Sequence, residues 1–210
     1  MFLVRLVLPD RPGSLGAVAT AMGKVNADIN AIEIVEKYEG FVVDDFMVDL
    51  PAGAQPDSLV TICTSLPDVE VLWLGYYPEA YGLQGDVELL NRMSADSSQA
   101  QQILTEGAPS VLRADWALLL DRESGEVQIQ TELAPDLGAE AALAFGSLNE
   151  PGILELPDGW LPGWGATLIA KAPMKKPKNA IIVARRGGPE FIASELARLR
   201  HLAALARQPL

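Results

Sequence analysis

The sequence predicts an α+β protein in two parts. Residues 1–77 read as a β-α-β-β-α-β sandwich, residues 78–105 as a helical connector, and residues 106–210 as a second domain with an antiparallel sheet. Three observations predict this. Four short apolar or alternating stretches fall in the first 77 residues, separated by two helically spaced stripes. The 18 Gly and 15 Pro are spread along the whole chain, so they mark turns and not a disordered tail. Finally, 210 residues is long for one domain and comfortable for two.

Each element follows from local pattern. Phe2 to Leu8 is a β-branched, apolar strand, broken by Pro9-Asp10-Arg11-Pro12-Gly13. Ser14 or Asp10 is placed to cap a helix over Leu15 to Asn26, whose stripe is Leu15, Val18, Ala19, Met22 and Val25. Ile29 to Glu36 alternates imperfectly; Tyr38-Glu39-Gly40 is a hairpin turn, and Phe41 to Leu50 the returning strand. Asp57 to Leu66 carries Leu59, Ile62, Cys63 and Leu66 on one helical stripe, and Val69 to Tyr77 is a fourth strand. Two right-handed βαβ units in this order make a ferredoxin-like sandwich, with both helices on one face of the sheet. The other face then needs cover from a second copy or from the second domain.

The connector has helical spacing at Leu83, Val87, Leu90 and Met93, and again over Ala100 to Leu104. Beyond it, Trp116 to Leu120 and Val127 to Glu132 read as strands about a Glu123-Ser124-Gly125 turn. Leu137 to Ser147 is Ala-rich and helical in pattern. Thr167 to Ala172 and Ala180 to Ala184 are core strands, and Ser194 to Arg207 is an amphipathic helix.

Composition narrows the function. The formal net charge is -12, of which -8 falls in residues 1–80, so phosphate backbones and anionic membranes are unfavourable partners. Cys63 is the single cysteine, which rules out an internal disulfide. The N-terminal apolar run stops at Pro9-Asp10 without a signal-peptide pattern, and no stretch approaches a membrane span. A cytoplasmic location is the expectation. His201 stands alone, and no Cys/His ligand set, nucleophile elbow or phosphate loop is present, so the reading is not enzymatic and implies no metal and no cofactor. Asp44-Asp45 reads as a solvated strand edge. Lys171, Lys175, Lys176, Lys178, Arg185 and Arg186 form the one basic cluster, read as a solvated hairpin. Trp160 and Trp164 read as packing against their own loop.

The chemistry concentrates in Asp10-Arg11-Pro12-Gly13-Ser14-Leu15-Gly16. Gly13 permits close backbone approach, and unpaired amides at a helix N-terminus suit a carboxylate. Asp10 suits an ammonium group. The bland alternative is a tight turn and helix cap.

This run, followed by a helix ending in Asn26-Ala27-Asp28-Ile29-Asn30, resembles the opening of ACT domains, which read D-x-P-G-x-L before a strand starting N-I. The resemblance is strong over residues 1–36 and continues by pattern to Tyr77. It implies a small-molecule site, often for an amino acid, at a homodimer interface. The matching positions are Asp10, Arg11, Pro12, Gly13, Ser14, Leu15 and Gly16, with Asn30 presented to its own loop or to a partner subunit's. Residues 98–207 more loosely resemble a GAF-type sensor domain, through Trp116 to Gly125, Ala170 to Pro173 leading into Ile181 to Ala184, and Gly188-Pro189-Glu190-Phe191 ahead of the terminal helix. That likeness implies a final helix pairing with the connector helix or another subunit. The functional expectation is a regulatory amino-acid-binding protein. The alternative is a homo-oligomerisation or protein-interaction module that binds no ligand.

Overall fold

The computed structural model describes residues 1–76, 83–175 and 178–206. Tyr77 of the expected fourth strand, residues 78–82 of the connector, Lys176 and Arg207 lie outside the described residues. The fold is α+β, with two antiparallel sheets. The chain divides into two compact units, Met1–Glu79 and Ala80–Leu210.

In the first unit the order is β1 (Phe2–Pro9), α1 (Ser14–Lys24), β2 (Asp28–Tyr38), β3 (Phe41–Asp49), α2 (Asp57–Thr64) and β4 (Glu70–Tyr76). The four-stranded sheet runs β2-β3-β1-β4, so β3 and β1 are interior strands and β2 is an edge. Alternation along the strands sends Val4, Leu6, Leu8, Val42, Phe46 and Val48 to one face, where they bury Val18 and Met22 of α1 and Leu59 and Cys63 of α2. On the opposite face Leu3, Arg5, Val43, Asp45 and Met47 are also buried. There the Trp73 indole lies across Gly75, where a Cβ would collide with the ring.

The expected side-chain cap of α1 is not what forms. Gly13 takes the N-cap position in the left-handed region, with φ of 95°, and no side chain caps the helix. Ser14 is already helical, and Asp10 is engaged elsewhere.

The second unit contains α3 (Leu83–Ala95), α4 (Ala100–Leu112), β5 (Trp116–Asp121), β6 (Val127–Gln130), α5 (Ala139–Ala142), β7 (Gly152–Leu156), β8 (Thr167–Pro173), β9 (Asn179–Arg186) and α6 (Ala193–Leu205). Its five-stranded sheet runs β6-β5-β9-β8-β7. One face, with Ala117, Leu119, Ala172, Ile181 and Val183, packs on Leu104, Ala108 and Leu112 of α4 and on Leu199, Leu202 and Ala203 of α6. The other face, with Trp116, Leu118, Leu120, Ile169 and Ile182, packs on Phe145, Leu148, Trp160 and Trp164.

Three expectations change here. Part of the segment read as a connector belongs to the core, because Leu89, Met93, Ala100 and Leu104 are buried in the same apolar cluster as the sheet residues Ala117, Leu119, Ile181 and Val183. The Ala-rich stretch Leu137 to Ser147 gives a four-residue helix and a 3-10 turn, stopped at Gly146 with φ of 63°. Strand β7 has no counterpart in the sequence reading; it is a five-residue edge strand paired, among the described residues, with β8 alone.

Candidate functional site

The Asp10–Gly16 loop joins an interior strand to α1 and is tied down by its own backbone. The Asp10 N–H donates to Gly40 O at 3.0 Å, fixing the loop to the β2–β3 turn. Arg11 N–H donates to Pro9 O at 2.9 Å, and Ser14 N–H to Arg11 O at 3.2 Å. The first helical hydrogen bond of α1 runs from Ala17 N–H to Gly13 O at 2.9 Å. The amides of Leu15 and Gly16 therefore precede it and have no side-chain cap. Nothing lies within 4 Å of where a Gly13 Cβ would sit, so the need for glycine there is conformational and not steric.

Two cavities flank this loop. One, of about 250 Å³, lies between Pro9, Arg11 to Ser14 and Ala17 on one side and Leu66, Pro67 and Val69 on the other. The second, of about 180 Å³, has the loop residues Asp10 to Leu15 as its wall, and Ile34, Lys37, Val42 and Asp44 of β2 and β3 as its floor. Helices cover the sheet incompletely along edge strand β2, which leaves Ile32 and Ile34 41% and 55% exposed.

Charge is arranged unevenly in the second cavity. Lys37 Nζ lies 3.1 and 3.2 Å from the two Asp10 carboxylate oxygens, with both side chains about half exposed. Asp44 is different: it is 1% exposed, and neither carboxylate oxygen has a hydrogen-bond partner among the described residues. Burial pushes its carboxyl above the usual carboxylate range; Lys37 opposes this, while Asp45 and Asp10 reinforce it. Its neighbour Asp45, on the other face, is 0% exposed but receives Arg5 Nε and Nη2 at 2.8 and 2.9 Å.

The Asp44-Asp45 pair is thus not a solvated edge. Strand β3 lies between β2 and β1, and successive side chains point to opposite faces, so both carboxylates are carried inward. Sequence reasoning missed Asp44. The available signal was the conjunction of two adjacent acids with an interior position in the expected strand order.

Of the residues expected at the site, Asp10, Arg11, Pro12, Gly13, Ser14 and Leu15 line the second cavity, and Gly16 follows in the first turn of α1. Asn30 does not join them within one chain. It donates to Asp49 Oδ2 at 2.7 Å, and it stands seven residues along β2 from Lys37, roughly 20 Å at strand spacing. That hydrogen bond and the N-terminal ammonium hold the Asp49 carboxyl below its usual range.

The basic cluster of the second unit is split: Lys175, Lys178 and Arg186 are exposed, as in a solvated hairpin, whereas Lys171 and Arg185 are not. Lys171 is buried and donates to Phe145 O and Ser147 O at 2.5 and 2.7 Å. Arg185 is buried against Glu195, while Lys178 meets Glu123 at the surface at 3.0 Å. Trp160 and Trp164 pack on one another and on Phe145 and Trp116, with Trp160 Nε1 donating to Thr167 Oγ1 at 3.1 Å. His201 is exposed on α6. Among the described residues no three His, Cys, Asp or Glu side chains gather as a metal site, and no helix is long and apolar enough to cross a membrane.

No protein-family model matches this chain, and no curated protein matches it in sequence. Among solved structures, an unknown protein from Galdieria sulphuraria aligns with 87% of this chain and 79% of its own, at 13% identity and a TM-score of 0.32. That likeness is too loose to carry an argument about fold or function.

Proposed function

We propose that the first unit is a ferredoxin-like sandwich of the ACT type that binds an amino acid at the Asp10–Gly16 loop, in a regulatory protein whose second domain is GAF-like. The observation that carries this reading is the α1 N-terminus. It has no side-chain cap, it follows a left-handed Gly13, and it borders two cavities, one of which holds acidic side chains. Free amides at a helix start suit a carboxylate, and neighbouring carboxylates suit an ammonium, so a zwitterion is the complementary ligand. The element order and the β2-β3-β1-β4 sheet support the sandwich. The packing of α6 beside α4 supports the GAF-like reading of the second domain.

The ligand would act by population shift, favouring one arrangement of a homodimer over another. With Asn30 far from its own loop, its role in such a dimer would be toward the loop of a second copy. The test is calorimetry of the full chain against the proteinogenic amino acids. Binding that Gly13→Asp abolishes, without change in oligomer size, supports the reading; no binding at millimolar concentration overturns it.

One observation favours the rival, an interaction module. Edge strand β2 and its turn expose Ile32 and Ile34 on one face and Tyr38 and Phe41 on the other, beside the outer backbone edge of the strand. If Ile34→Lys dissociates an oligomer while no amino acid binds the parent, the module reading is preferred.

A further inference from the structure

We infer that Asp44 is the acceptor for the ammonium group of the molecule held at this loop, so that the cavity selects compact ligands carrying a primary amine. This inference rests on the amino-acid reading of the same site and adds the group that recognises the cationic end.

The argument starts from an imbalance on one strand. Asp44 and Asp45 are consecutive, and both are at least 99% buried. Asp45 has the Arg5 guanidinium on both oxygens, as a buried structural carboxylate should. Among the described residues, Asp44 has a hydrogen bond to neither oxygen. Its register partners on the adjacent strands are Leu6 and Ile34, which can donate nothing from their side chains. An ionised carboxylate in apolar surroundings is unfavourable unless something meets it. What adjoins Asp44 is a cavity of about 180 Å³ that it helps to line.

The other residues of the cavity define what fits. Lys37 lies in the same lining, but its ammonium is placed on Asp10 and leaves Asp44 to another cation. The loop wall adds the start of α1, whose amides favour negative charge. A molecule with an ammonium at the floor and a carboxylate at the helix start satisfies both. An anion lacking an amine would instead meet the Asp44 carboxylate with nothing of its own to offset it. A hard divalent cation such as Ca2+ or Mg2+ is a poorer match, since these take six or more oxygen ligands, and among the described residues no three ligating side chains converge.

The experiment uses the full chain and Asp44→Asn, which keeps the shape and removes the charge. Calorimetry is run with L-alanine and L-valine, with ethylamine and isobutylamine as carboxylate-free partners, and with propionate and isovalerate as amine-free ones. The expected result is that the amino acids bind the parent and bind Asp44→Asn at least about tenfold more weakly. The acids should bind the parent weakly and bind Asp44→Asn no more weakly, since the variant lacks the opposing carboxylate. If amino acids bind parent and variant with the same Kd, the role of Asp44 is overturned and the amino-acid site stands. If the amines bind the parent but not the variant while no amino acid binds, the role of Asp44 stands and the amino-acid reading falls. If neither class binds the parent, both fall. Should Asp44→Asn lose its fold, carbon-13 NMR of the parent decides. A bound amine must shift the Asp44 carboxyl resonance and lower the pH at which it titrates, and an unmoved resonance at saturation overturns the inference.

Discussion

Arg185→Met deletes a charge and every donor of a buried guanidinium while keeping much of its volume. In the fold Arg185 is 2% exposed. Its Nε and Nη2 donate to the Arg113 and Leu112 carbonyls at 2.9 and 2.8 Å, and its Nη1 donates to Pro189 and Glu190 carbonyls at 3.0 and 3.3 Å. Two further bonds, at 2.8 and 3.2 Å, reach the Glu195 carboxylate, and the guanidinium lies 3.9 Å from the centre of the Phe191 ring. One side chain thus fastens the end of α4, the 189–190 turn and the start of α6 to strand β9. Removing one partner of such a pair costs ~3–5 kcal/mol, because the remaining carboxylate stays buried without its cation. The released carbonyls can reach water only if the turn opens. For a unit of this size, that loss lowers Tm by roughly 10–20 °C. Thermal unfolding followed by near-ultraviolet circular dichroism reads it, since Trp116, Trp160 and Trp164 lie in the same unit. Adding Glu195→Leu removes the stranded charge and is expected to recover more than half of the loss. A single variant destabilised by less than about 1 kcal/mol, or a double variant as weak as the single one, refutes this account of the hub.

Other outcomes follow from the first unit. Gly13→Ala is expected to cost about 1–2 kcal/mol, from left-handed backbone alone since no atom of the described residues obstructs the new Cβ, and, under the proposed amino-acid reading, to weaken binding in the calorimetric titration. Cys63 is fully buried, and burial pushes its thiol up to about 11; a thiol-reactive reagent at neutral pH is expected to label it only at the rate of unfolding, and rapid labelling of the native chain would contradict its burial. Asp44 gives a pH dependence of definite sign. Its carboxyl is raised in the fold by burial, against Lys37 and with Asp45 and Asp10, so the folded chain keeps a proton that the unfolded chain has released. Stability therefore falls as pH rises from the unfolded carboxylate value, about 4, through the folded one. The Tm difference between Asp44→Asn and the parent should be smallest at the acid end of that window and grow in favour of the variant toward neutrality; a pH-independent difference would remove burial as the cause.

The sequence made some of this legible and hid the rest for physical reasons. Strands β1 to β4 and helices α1 and α2 follow from apolar spacing between Pro and Gly breaks, because the helices bury one stripe and the interior strands β1 and β3, buried on both faces, read as near-continuous apolar runs. Strand β7 did not, since Gly152–Leu156 is short, half-buried and held at one edge by β8, a partner supplied by tertiary structure. Loop residues Asp10 to Leu15 were legible as a cluster because they are contiguous, whereas Asn30 was drawn in by motif and lies at the far end of its strand. The two acids of β3 show where pattern reading stops. Taken as a dipeptide they suggest solvent. In an interior strand they point to opposite faces, and register then supplies Asp45 with a counter-ion, because its partner on β1 is Arg5. The same register gives Asp44 only Leu6 on one side and Ile34 on the other. Pairing within the sheet thus neutralises one carboxylate and cannot neutralise its neighbour, and the unmatched one is the one that borders a cavity beside a helix start. A carboxylate in that position either keeps a proton or takes a cation from outside its strand, and the lysine nearest the cavity is already engaged with Asp10.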